Sequence, residues 1–179
     1  MRFPPYLLIG LVAGCCSEPP SRLIAADAPP TSSPQAPDGI YADVSSEGGE
    51  SLWAILTGNR TVTRNPGESV LIKVHHDASG HAVVTRLVNG VEVQRHRIAL
   101  EARGGYFYLH RPEFVTVIVV TTIGCDDILL GLTPNGDLRV FERGEAVIFL
   151  TVLPVFPDVF PRNYTFRAVG SLLLSRGGS

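Results

Sequence analysis

From residue 39 onward, apolar and polar positions come in short alternating or apolar runs separated by turn residues. The runs fall at about 39–46, 50–57, 60–64, 69–76, 81–88, 91–100, 106–110, 114–123, 127–132, 137–142, 146–153 and 163–174. A period of two sends successive side chains to opposite faces of a strand, and short strands at this spacing predict a sandwich or barrel. No run sustains the 3.6-residue period of an amphipathic helix. The clearest unit is HAVVTRLVNGVEVQRHRIAL, where Asn89-Gly90 separates two alternating runs. Both residues tolerate the positive φ of a type I′ turn, so a two-residue hairpin is expected, pairing Val88 with Val91 and Arg86 with Val93.

A second hairpin is expected at Pro134–Asp137, with looser turns at Asp77–Gly80, Ala102–Gly105 and Glu142–Glu145. FVTVIVVTTI and AVIFLTVL are apolar at consecutive positions and predict strands buried centrally between layers. Pro154, Pro157 and Pro161 predict a non-strand crossover after them. The fold class expected is therefore all-β: an antiparallel meander closed into a sandwich or flattened barrel, forming a single domain over 39–179.

The stretch before it reads differently. Residues 17–38 are rich in Pro, Ser and Ala, lack either period, and predict a flexible tether. Residues 1–14, MRFPPYLLIGLVAG, carry one positive charge and then an apolar segment too short to span a bilayer. That is the pattern of a secretory signal. Val12-Ala13-Gly14-Cys15 resembles the lipobox of bacterial lipoproteins. The resemblance implies cleavage before Cys15, lipidation of its sulfur and acylation of the new N-terminus. Two or more chains anchor durably where one does not. The residue after Cys15 is not aspartate, which by the same resemblance points to the outer membrane, facing the periplasm.

Composition adds boundaries. The 179 residues suffice for one domain and a tail, and the 14 prolines and 18 glycines favour turns over helices. A net charge of −2 without a like-charge run gives no reason to expect nucleic acid as partner.

Candidate chemistry is sparse. Cys16 lacks the spacing of a redox or zinc motif; Cys125 reads as a buried free thiol, although a disulfide between the two would be possible in an oxidising compartment. His75, His76 and His81 cluster around a turn with Asp77, but consecutive residues of a strand diverge, so a solvated turn is favoured over a metal site. Asp126 and Asp127 read as a solvated turn rather than a catalytic dyad. Trp53 departs from the lipocalin G-x-W spacing, the nearest glycine being Gly49, and reads as a core or rim aromatic. No nucleophile elbow, H-E-x-x-H, P-loop or dinucleotide fingerprint occurs. Asn59-Arg60-Thr61 and Asn163-Tyr164-Thr165 match a glycosylation sequon, which matters only outside bacteria.

One oddity remains. In the unbroken hairpin register Arg86 and Arg95 lie on one valine-bearing face, diagonal to each other, where two guanidinium forks could converge on an anionic amphiphile. No cofactor or metal is expected. The reading is a lipid-anchored envelope protein, attached to the membrane through its N-terminal lipid, whose β domain binds an envelope protein or an anionic amphiphile, or serves a structural role, without catalysis. An envelope hydrolase with unidentified catalytic residues is the alternative.

Overall fold

The computed structural model describes residues 35–61, 65–77, 79–103, 105–117, 120–150, 153–155 and 162–170. The strands are β1 (Gly39–Ala42), β2 (Val70–His76), β3 (His81–Val88), β4 (Val91–Ala99), β5 (Glu101–Arg103), β6 (Tyr106–Val117), β7 (Val120–Leu132), β8 (Leu138–Leu150), β9 (Leu153–Val155), β10 (Arg162–Phe166) and β11 (Ala168–Gly170). One helix, α1 (Leu52–Thr57), follows β1. The fold is an all-β sandwich of two antiparallel sheets. One sheet runs β11-β1-β2-β3-β4 and the other β10-β8-β7-β6-β5, with β9 beside β8. Sequential neighbours pair almost throughout, as a meander requires. The exceptions are β4 and β5, which end different sheets, β10, which lies beside β8, and β11, which returns to β1.

The chain forms two compact units. The larger comprises Pro30–Leu109, Leu129–Phe141 and Asn163–Ser179. It holds the whole first sheet. Within it Tyr41, Ile72, Val74, Val84, Leu130 and Phe166 are almost completely buried. Each such side chain contributes about 1.5–3 kcal/mol by leaving water. The His76 ring meets Phe107 edge-on at 4.9 Å, which joins β2 to β6 in this core. On β7, Gly131 lets the Tyr106 ring lie directly against the backbone, and Tyr106 in turn meets Phe141 edge-on at 6.3 Å.

Locally, several expectations hold for clear reasons. Asn89 and Gly90 have φ of 51° and 81°, the positive pair that a type I′ turn demands, and Val88 faces Val91. Gly136 has φ of 84° in the second hairpin, where its N–H donates to the Thr133 carbonyl at 2.9 Å.

Other expectations are corrected. The run 50–57 is not a strand. Its Leu52, Trp53, Ile55 and Leu56 are buried on one helical face, Ser51 caps the N-terminus by accepting from the Ala54 N–H, and Gly58 closes the C-terminus at φ of 74°. FVTVIVVTTI is not one strand either: it is shared between the end of β6 and the start of β7. No turn interrupts β8 at Glu142–Glu145, and Pro154 lies inside the short strand β9, facing Phe149. Proline is tolerated in such an edge position, where no ladder donor is needed.

The smaller unit comprises Met1–Pro29, His110–Ile128 and Glu142–Arg162. Its described part holds the remaining lengths of β6, β7 and β8, with β9. Residues 1–34, including the signal segment, Cys15, Cys16 and most of the tether, lie outside the described residues.

Candidate functional site

The hairpin β3–β4 does not keep the register its turn begins. Leu87 faces Glu92, but Arg86 faces Gln94, so Val93 is an extra residue in β4 and the ladder slips by one. Beyond the slip Thr85 faces Arg95, Val83 faces Arg97 and Ala82 faces Ile98. Directly paired residues share a face, so Arg86 and Arg95 lie on opposite faces. The expectation that they converge is therefore corrected. The physical reason is the burial of Ile98, which is only 6% exposed; without the bulge it would point away from the core. On the outer face, Arg95 is 65% exposed and its Nη2 lies 3.0 Å from Glu92 Oε2.

Arg86 is on the core face. It lies between Ile72 of β2 and Gln94 of β4, and is 8% exposed. Among the described residues it has neither a hydrogen-bond nor an ion-pair partner, and its Nε is fully enclosed. A buried donor left in that condition costs about 1–3 kcal/mol. A second donor shares this state. Trp53 on α1 is 4% exposed, and its Nε1 has no acceptor. Helix α1 packs against β3 and β4.

What holds α1 in place is Asp43. Its Oδ1 accepts from the Trp53 N–H and from the Ser51 hydroxyl, both at 2.9 Å, while its carbonyl accepts from the Leu52 N–H at 2.8 Å. The carboxylate thus satisfies donors at the helix start, where no intrahelical acceptor exists.

The histidine cluster resolves into a turn. Asp77 Oδ1 accepts from the Ser79 hydroxyl and from the N–H groups of Ser79 and His81, and Arg97 Nη2 lies 3.1 Å from Asp77 Oδ2. The Ser79 hydroxyl, ahead of the backbone donors and Arg97, holds the Asp77 carboxyl well below the usual carboxylate range. His75 lies against Asp38, while the His76 ring meets Phe107. Among the described residues no group of three or more His, Cys, Asp or Glu could hold a metal ion.

In the smaller unit, Asp126 and Asp127 are not in a solvated turn. Both are buried within β7. They do diverge, as successive strand residues must. Asp126 pairs with Arg111, whose Nη2 is also 4.0 Å from Glu142 Oε1; Asp127 Oδ1 lies 2.9 Å from His110 Nδ1. With Asp127 9% and His110 38% exposed, the carboxylate can orient the ring of a histidine that reaches solvent. Sequence reading missed this pairing because His110 and Asp127 are 17 positions apart and only the β6–β7 ladder joins them. The Cys125 side chain lies outside what the structure describes.

Fold and side chains together define an antiparallel β-sandwich protein with an enclosed arginine on its core face. No protein-family model, curated protein or solved structure matches the chain.

Proposed function

We propose that this protein is a lipid-anchored lipoprotein of the bacterial cell envelope, carried at the outer membrane on the periplasmic side. Cys15 is the lipidated residue, residues 15–38 are the tether, and the β-sandwich performs a binding or structural role without catalysis. The observation that supports the reading is Val12-Ala13-Gly14-Cys15 directly after a short apolar segment and directly before a Pro/Ser/Ala-rich stretch. Small residues let an extended backbone enter a peptidase site, and the thiol accepts a lipid as a thioether. With labelled palmitate, the wild-type chain takes up label and is processed. Cys15→Ser takes up none and accumulates as precursor, while Cys16→Ser behaves as wild type. Normal cleavage and release of Cys15→Ser would overturn the reading.

The alternative, an envelope hydrolase, draws on the His110–Asp127 pair, since an oriented imidazole is the usual general base. It is tested by turnover of p-nitrophenyl esters, compared between wild type and His110→Gln. Equal rates in the two remove it.

A further inference from the structure

We infer that Arg86 is the anchor of a ligand site for an anionic amphiphile, with the acid group on the guanidinium and the hydrocarbon over the β4 edge of the sheet. Four observations lead there, and none depends on the N-terminal anchor. Arg86 is more than nine-tenths buried on the core face, and among the described residues nothing accepts from it. A guanidinium offers donors only, and so does an indole N–H; Trp53, on the helix that packs against β3 and β4, leaves its Nε1 unpartnered as well. Two buried donors without acceptors call for a group that brings acceptors alone, which is what a carboxylate or phosphate does.

The way in is the edge. β4 ends the sheet, and although Gln94 and His96 lie on the same face as Arg86, both are exposed. That face is therefore open one strand away from the arginine. The last observation selects an amphiphile over a bare anion. Val91 faces Val88 on the same side and is 65% exposed, and Val93 at the bulge is 49% exposed. Together with the half-buried Val88 on β3, Val91 gives an acyl chain apolar surface beside the charged head. Arg95 takes no part, because it is on the outer face and bound to Glu92.

Decanoate, decanol and inorganic phosphate serve as probes on the full-length protein. Trp53 is the only tryptophan and lies on the helix packed against β3 and β4, so its fluorescence gives one readout and titration calorimetry a second. Wild type and Arg95→Gln should bind decanoate alike and at least about tenfold more tightly than decanol, the discrimination expected of a charge-assisted bond. Arg86→Met should lose that preference, and its midpoint of thermal unfolding without ligand should rise, because it removes a buried donor that has no acceptor. Phosphate bound as well as decanoate, and lost in Arg86→Met, would overturn the amphiphile in favour of a small-anion site. Decanol bound as well as decanoate by wild type would overturn the role of Arg86, and this comparison needs no variant to fold. Absence of binding by all three probes would overturn the site.

Discussion

Replacing Asp43 by alanine should destabilise the larger unit by about 3 kcal/mol. The estimate comes from the groups that lose their acceptor. Asp43 is 7% exposed, and its Oδ1 accepts from the Trp53 N–H and the Ser51 hydroxyl at 2.9 Å each. Hydrogen bonds to a charged acceptor contribute about 1.5–3 kcal/mol, and a buried donor left unsatisfied costs about 1–3 kcal/mol. The Trp53 N–H is the group that cannot turn elsewhere, because it is fixed in the backbone and buried. The Ser51 hydroxyl can rotate, is only partly buried, and adds less. Asp43→Asn keeps an oxygen in place but not its charge, and should cost roughly half as much. Ser51→Ala, which removes the helix cap to Ala54, should cost about 1 kcal/mol. Because Ser51 and Asp43 touch, the double variant should fall short of additivity by at least about 0.5 kcal/mol. The assay is equilibrium urea unfolding, read by Trp53 fluorescence and by far-ultraviolet circular dichroism, with a thermal midpoint about 10 °C lower for Asp43→Ala. Stability within about 0.5 kcal/mol of wild type would refute the reasoning. So would an Asp43→Asn variant as unstable as Asp43→Ala, since the hydrogen-bond geometry would then be irrelevant.

Two further outcomes are expected. A methyl group added at Gly131 would stand 2.8 Å from Cδ1 and Cε1 of the buried Tyr106 ring, so Gly131→Ala should cost about 1–3 kcal/mol in urea unfolding, and the added substitution Tyr106→Leu should recover part of it. Burial, followed by the Asp38 and Asp137 charges, raises the Tyr41 hydroxyl above its ordinary pKa of 10.0. A raised folded-state value means stability that is complete below pH 10 and lost as pH rises above it, by about 1.4 kcal/mol at one unit above. Tyr41→Phe should lose about 1 kcal/mol at neutral pH with the bond to the Pro37 carbonyl, but should show a flatter stability profile between pH 9 and 11. Parallel alkaline profiles for the two proteins would contradict the assignment.

What the sequence determined by itself was whatever rests on a few adjacent residues. Asn89-Gly90 imposes its turn because both residues accept positive φ, and the alternation of 70–76 and 81–88 places Ile72, Val74 and Val84 in the core. The limits of α1 were also written locally, in Ser51 and Gly58, but LWAIL is as apolar as a buried strand and its period is too short to separate the two. Tertiary structure decided the rest. In VEVQRHRIAL the apolar positions change phase, from Val91 and Val93 to Ile98 and Leu100, but the four polar residues between them do not say where the ladder slips; pairing with β3 puts the slip at Val93, which brings Ile98 to the core, sends Arg95 outward and leaves Arg86 within. Asp126 and Asp127 read as a turn because carboxylates prefer water, and they are buried in β7 because Arg111 and His110 wait on the neighbouring strand, one for each face. A local pattern records what a residue prefers in isolation. Only pairing across strands supplies the partner that overrides the preference, or, at Arg86, leaves it unmet.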